Sequence, residues 1–191
     1  MAPSTTARTH ALRLAGTALA CAVAAAGLAG CDTGSTKSSS SSPSASASAS
    51  PSSDPDQAAK DEVLAAYTNM REIQIKMADD GDLHTEDLAK FARGDAASDL
   101  KKSVLRNRAA NIKFTGRPEM RPTVTSVDTK GKTATLSDCF DATKWKPVYK
   151  DSGKAVELAE QRLKYPVTSH ATLEGDTWHI TKITADRTKD C

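Results

Sequence analysis

The sequence predicts an α+β fold in which N-terminal helices pack on an antiparallel sheet. Three observations carry this. Between Gln57 and Ala110 the apolar residues recur at helical spacing, beyond residue 110 they alternate at strand spacing, and the alternating stretches are separated by turns rich in Gly and Asp. Ahead of Gln57 lie two segments of other composition, so the 191-residue chain reads as a leader (1–30), a linker (31–56) and one domain (57–191). The last segment has the commonest size of a single domain, and it contains no internal repeat and no second linker.

The leader begins with Arg8 and Arg13 and no acidic residue, followed by an uncharged run from Leu14 to Gly30 built mainly from Ala, Leu, Val and Gly. That run is short and weakly hydrophobic for a permanent bilayer span, and a basic start before a short apolar middle marks a secretory signal. It ends in Leu28-Ala29-Gly30-Cys31, which resembles the lipobox of bacterial lipoproteins. The resemblance implies that the Cys31 thiol is alkylated with a diacylglyceryl group and that the signal is cut so that Cys31 becomes the first residue. Stable anchoring takes two acyl chains, and one such thioether supplies both. Cys21 sits inside the apolar run and leaves with the signal. The expected location is therefore the outer face of the cytoplasmic membrane.

Removing the two arginines of the leader from 26 basic residues leaves 24, against 24 acidic. A formally neutral mature chain argues against a nucleic-acid partner and against a purely electrostatic membrane contact. The stretch SSSSSPSASASASPSS (38–53) offers nothing to bury, and this composition reads as a disordered linker. About 25 residues of flexible chain have a mean reach on the order of 25–30 Å, enough to hold the domain clear of the lipid headgroups.

Within the domain, Val63, Ala66, Tyr67, Met70, Ile73 and Met77 share one helix face, and Asp79-Asp80-Gly81-Asp82 ends that helix. Thr85 is an N-cap type for a short helix with Leu88 and Phe91, ended near Gly94. Asp95 opens a third helix with Ala96, Leu100, Val104 and Leu105 on its apolar side, and the cluster Lys101, Lys102, Arg106 and Arg108 reads as its solvated face. The strands then follow: Asn111–Gly116, a hairpin of Thr123–Asp128 and Thr133–Phe140, a short strand Trp145–Tyr149, and a last hairpin turning at Glu174-Gly175-Asp176.

Once Cys21 is removed and Cys31 is lipidated, Cys139 and Cys191 remain, and outside the cytoplasm two cysteines in one small domain most simply form a disulfide. The alternatives lack their usual signatures. A redox pair shows C-x-x-C spacing, and His170 and His179 match no zinc pattern, so neither metal nor cofactor is expected.

Gly116-Arg117-Pro118 before the first hairpin, the set Leu173, Asp176, Trp178 and Ile180 in the last, Ser137-Asp138-Cys139-Phe140-Asp141, and the terminal Cys191 together resemble small secreted lipoproteins of high-GC Gram-positive bacteria. These belong to the nuclear-transport-factor-two-like superfamily. The resemblance covers residues 57–191 and implies a cone-shaped, cystatin-like arrangement: helices closing one side of a curved sheet around a conical pocket. Some members are enzymes, such as ketosteroid isomerases and polyketide cyclases, with a carboxylate base and a Tyr or protonated acid in an apolar cone. The weak catalytic candidates here are Tyr67 and Asp138, with Asp141, His84 and His170 as further polar groups. Strand alternation sends Asp138 and Phe140 to one face and Cys139 and Asp141 to the other, so the two acids do not face inward together.

Each candidate also has a structural reading: Tyr67 as a core residue with its hydroxyl near the surface, Asp138 and Asp141 as strand-end or turn residues, and His84 as a loop residue before a helix cap. No Ser-His-Asp, phosphate-loop or H-E-x-x-H pattern is present. The expectation is a membrane-anchored, non-enzymatic binding domain whose partner is a small apolar ligand or an envelope protein. The alternative is a cone-pocket isomerase, lyase or cyclase.

Overall fold

The order helix, helix, helix, then strands follows from the change of hydrophobic period near residue 110, and a computed structural model shows it directly. The structure describes residues 55–191. The expected signal, the lipidation site Cys31 and the linker up to residue 54 lie outside the described residues.

Helix α1 (Pro55–Asp80) opens two residues ahead of the expected Gln57. Proline is preset for the first helical position, where it has no needed N–H to lose, and Asp56 in the first turn favours the positive end of the helix dipole. Val63, Ala66, Tyr67, Met70 and Met77 are buried along one stripe, as their spacing predicts. Gly81 ends the helix in the left-handed conformation, and its N–H donates to the Met77 carbonyl at 3.0 Å.

The short helix α2 (Thr85–Leu88) corrects one detail: Thr85 lies within it, and the capping position belongs to His84, which makes no side-chain capping bond. His84 turns the chain in the left-handed region, with its Nε2 2.6 Å from Asp80 Oδ2, so the imidazole closes the turn between α1 and α2. In α3 (Gly94–Ala109) Ala96, Leu100 and Val104 are buried, whereas Leu105 is 50 % exposed against expectation. One residue rotates a helix by about 100°, and with Val104 facing the core its neighbour faces water.

Among the described residues six strands form two antiparallel sheets where one was expected. Strands β1 (Ile112–Gly116) and β4 (Trp145–Tyr149) pair as a two-stranded ribbon, while β2 (Thr123–Asp128), β3 (Thr133–Asp141), β5 (Lys164–Glu174) and β6 (Thr177–Ala185) form a four-stranded sheet in the order β2-β3-β5-β6. Gly116 ends β1 with φ of +77°, and a Cβ there would lie 2.0 Å from the Lys144 carbonyl oxygen, so this turn accepts glycine alone.

Curvature has a local cause in both edge strands. The register slips by one residue at Thr125 in β2 and at Thr181 in β6, and such bulges bend a strand and sharpen its twist. The extra residue is a threonine each time, whose hydroxyl donates across the ladder, to the Thr135 carbonyl at 3.1 Å and the His170 carbonyl at 3.3 Å.

The helices pack on the inner face of the four-stranded sheet over a core that includes Tyr67, Met70, Leu136, Trp178 and Ile180. Phe140, Tyr165 and Val167 make a second, smaller core toward the ribbon, with Trp145 and Met120 against it. Alternation along β3 buries Ala134, Leu136, Asp138 and Phe140 and leaves Ser137 exposed and Cys139 partly exposed on the other face.

Cys139 is bonded to Cys191, as expected, across a sequence separation of 52 residues. The tail reaches it by crossing β5, where the Asp186 N–H donates to the Pro166 carbonyl at 3.0 Å and Pro166 stands opposite Cys139. In the chain-entropy model a loop of this size contributes about 4 kcal/mol. Cys139→Ser with Cys191→Ser is therefore expected to lower stability by about that amount in denaturant unfolding, and mass spectrometry of the unmutated domain is expected to show a gain of two hydrogens on reduction.

Candidate functional site

Because the ribbon β1–β4 leaves the plane of the four-stranded sheet, a cavity of about 500 Å³ remains between them, floored by α1 and α3. Its walls are largely apolar. Of the chain's three Phe, two Trp and three Tyr, four line this one space: Phe114, Phe140, Trp145 and Tyr165. They form a continuous series, with ring centroids 4.6 Å apart for Phe114–Trp145, 5.9 Å for Phe140–Trp145 and 5.6 Å for Phe140–Tyr165. The connection from residue 150 to 163 crosses the mouth, where Leu158 and Leu163 are exposed apolar residues of the rim. Its first half folds back on β4, with an antiparallel bridge between Val148 and Ala155.

One polar network lies behind the apolar wall. Tyr67 is fully buried, contrary to the reading that put its hydroxyl near the surface, and that hydroxyl donates to Asp138 Oδ2 at 2.7 Å. Asp138 is neither a strand-end nor a turn residue: it sits inside β3, 3 % exposed, and its Oδ1 accepts the Arg121 N–H at 2.6 Å. Arg71, one turn along α1 from Tyr67, is 4 % exposed; its Nε donates to the Tyr67 hydroxyl at 2.9 Å and its Nη1 to Gln74 Oε1 at 2.6 Å. The guanidinium also stacks near two rings, 4.9 Å from the centroid of Tyr67 and 5.0 Å from that of Phe140. Burial pushes the Tyr67 phenol well above its usual range; Arg71 opposes the shift and the Asp138 carboxylate adds to it. Tyr67 therefore stays a donor to Asp138.

The cavity meets this network at one point. Arg71 and Gln74 line it, while Tyr67 and Asp138 do not. The two weak catalytic candidates are thus brought together, but their hydrogen-bonding atoms are engaged with each other behind Arg71. Asp141 lies on the opposite face of β3 from Asp138, at the strand end, where its Oδ1 accepts the Thr143 N–H at 2.9 Å, and hydrogen bonds from Thr143 hold its carboxyl below the usual range. His84 closes a turn and His170 is exposed on β5; neither lines the cavity. Among the described residues no group of His, Cys, Asp and Glu is placed to hold a metal ion.

The polar residues that do line the space, Arg71 and Gln74, were not among the sequence candidates. Their signal was present all the same: Tyr67, Arg71, Gln74 and Ala78 recur at helical spacing beside the apolar stripe, and two of these four are polar on a face that is otherwise buried.

Removing one member of a buried, charge-assisted network leaves its partners desolvated. Tyr67→Phe is expected to lower stability by about 1–3 kcal/mol and Asp138→Ala by about 3–5 kcal/mol. Urea unfolding of the two variants checks this, and a loss below 0.5 kcal/mol, roughly that of an ordinary surface change, would contradict it.

No family model matches the chain, and no curated protein does. The solved structures to which it is similar include three at low identity. The intermembrane space region of the chloroplast protein ARC6 is 12 % identical, with 66 % of this chain and 95 % of that one covered and a TM-score of 0.43. A protein of unknown function with a cystatin-like fold from Nostoc punctiforme is 12 % identical, covering 66 % of this chain and 90 % of its own, at a TM-score of 0.36. A de novo designed β-sheet protein is 16 % identical, covering 66 % and 91 %, at 0.34. The α+β assignment itself rests on the helices and antiparallel sheets of this chain.

Proposed function

We propose that the protein is a non-enzymatic binding domain for a small apolar ligand, held at the outer face of the cytoplasmic membrane by a lipidated Cys31 and spaced from it by the Ser-, Ala- and Pro-rich linker. The observation that carries the reading is the cavity. Its 500 Å³ falls within the range of small-molecule sites, about 300–1,000 Å³, and apolar walls with few polar groups are the usual lining of such sites. The Cys139–Cys191 bond supports an oxidising, extracytoplasmic setting. Among the described residues no helix is long and apolar enough to cross a membrane; the anchor rests on the Leu28-Ala29-Gly30-Cys31 pattern of the sequence. A catalytic role for Tyr67 and Asp138 is disfavoured by their mutual hydrogen bond behind the cavity wall.

The cavity is tested with N-phenyl-1-naphthylamine, a neutral dye whose emission rises in apolar surroundings. The unlipidated Cys31→Ser chain is expected to bind it saturably at one site, with quenching of Trp145, and Ala96→Trp, which fills the space, is expected to abolish the signal while the chain stays folded by circular dichroism. Absence of saturable binding, or binding unaffected by Ala96→Trp, would refute the reading. The anchor has a separate test. Cys31→Ser is expected to move the protein from the membrane fraction to the medium, and continued membrane attachment would show that Cys31 does not carry it.

A further inference from the structure

Buried cations are rare because removing charge from water is expensive unless a partner compensates. Arg71 lines the cavity at 4 % exposure, yet among the described residues no carboxylate pairs with it directly: its hydrogen bonds go to a tyrosine hydroxyl and a side-chain amide. Asp138 balances it only through the Tyr67 hydroxyl, and both Asp138 oxygens already accept other donors. Among the described residues Arg71 Nη2 has no hydrogen-bond partner, it is not one of the buried unsatisfied atoms, and Arg71 lines the cavity. Beside it Gln74, which also lines the cavity, uses its Oε1 on Arg71, and its amide N–H groups make no other hydrogen bond among the described residues.

We infer that Arg71, with Gln74, is the anion-binding subsite of the cavity, and that the ligand is an apolar carboxylate: a hydrocarbon body against Phe114, Phe140 and Trp145 and one negatively charged head on Nη2. The inference rests on the cavity being a ligand site. Asp138 already places one negative charge behind Tyr67 in the same network, so the site has little positive charge to spare. A monoanion adds one charge beside the guanidinium, whereas a phosphate monoester carries nearly two negative charges near neutral pH and would add a larger surplus in an apolar space. The other charged groups of the lining, Asp99, Arg106 and Arg187, are exposed; Asp99 pairs with Lys102 at 3.4 Å, and Arg187 lies over the Tyr165 ring. None places a second charge in the interior. The planar fork of Arg suits a carboxylate, and a charge-assisted bond in a dry site is among the stronger single contacts a ligand makes.

The test compares ligands of one chain length and different heads, decanoate, decanol, decyltrimethylammonium and decyl phosphate, by calorimetric titration of the unlipidated Cys31→Ser chain. Decanoate is expected to bind more tightly than decanol by about tenfold to a hundredfold, the range of a hydrogen bond to a charged group, and more tightly than the cation or the phosphate. Arg71→Met is expected to remove that preference, so that decanoate binds no more tightly than decanol to the same variant, and Arg71→Lys, which keeps the charge without the fork, to retain part of it. If Arg71→Met does not fold, the head-group preference of the unmutated site and the Arg71→Lys result decide. Equal affinity for decanoate and decanol, or a preference for the cation or the phosphate, overturns the carboxylate subsite and leaves the cavity reading standing. Failure of every one of these ligands to bind overturns both.

Discussion

The fold is organised around one buried carboxylate. Asp138 sits mid-strand in β3 and takes one donor on each oxygen: the Tyr67 hydroxyl from α1 and the Arg121 N–H from the connection between β1 and β2. Three segments far apart in the chain are thereby fixed to one point. A desolvated charge tolerates few arrangements, because every alternative that separates it from its donors leaves it unpaired. Strand register is constrained with it. Slipping β3 by one residue would move Asp138 to the outer face and bring Cys139 inward, breaking the network and the disulfide geometry together.

The cavity follows from the same constraint. The segment that passes Asp138 also pairs with the end of β3, through mutual hydrogen bonds of 2.9 Å between Glu119 and Asp141, before it enters β2. Gly116 has already turned the chain at the end of β1, so β1 and its partner β4 stand off the four-stranded sheet. Aromatic rings cover the inside of that gap but do not fill it. Trp178, which belongs to the other core under α1, is not available to fill it. What reaches the space from the polar network is Arg71, so a strand carboxylate that never touches the cavity determines which charge the cavity presents.

Much of this was legible in the sequence, and the division has a physical basis. Periodicity is local, so α1, the two hairpins and the Trp145–Tyr149 strand were readable within a residue or two of their bounds. The disulfide was readable by elimination, since only two cysteines remain in the domain. The pairing of β1 with β4 was not, because it joins Gly116 to Trp145 across an intervening hairpin and no local pattern encodes that choice. Tyr67 and Asp138 were singled out one at a time, but a hydrogen bond across 71 residues leaves no mark in spacing. Arg71 went unread for a different reason. A charge on an amphipathic helix is ordinarily solvated, and only the packing of Phe140 and Tyr67 against its guanidinium makes this one an interior group.

Base and rim of the cavity are held by forces of different strength. The base rests on buried hydrogen bonds among Tyr67, Arg71 and Asp138, which water does not weaken. At the rim, residues 150–163 are tied by backbone bonds at the start, from Lys150 N–H to the Asn111 carbonyl at 2.9 Å, in the middle, from Val156 N–H to the Pro147 carbonyl at 3.0 Å, and at the end, from Ala142 N–H to the Leu163 carbonyl at 2.7 Å. Between those ties the loop meets the C-terminal tail through exposed contacts, Arg162 with Asp190 and Arg187 with Gln161. Exposed pairs of this kind contribute about 0–1 kcal/mol each, so the loop alone would move readily. The disulfide changes the balance, since it fixes Cys191 to β3 and so holds Asp190 within reach of Arg162. A covalent tail thus steadies a loop that its own contacts would hold weakly. The outcome is a buried, charged base beneath a rim held by backbone bonds and exposed pairs, so the two ends of the cavity differ in local stability.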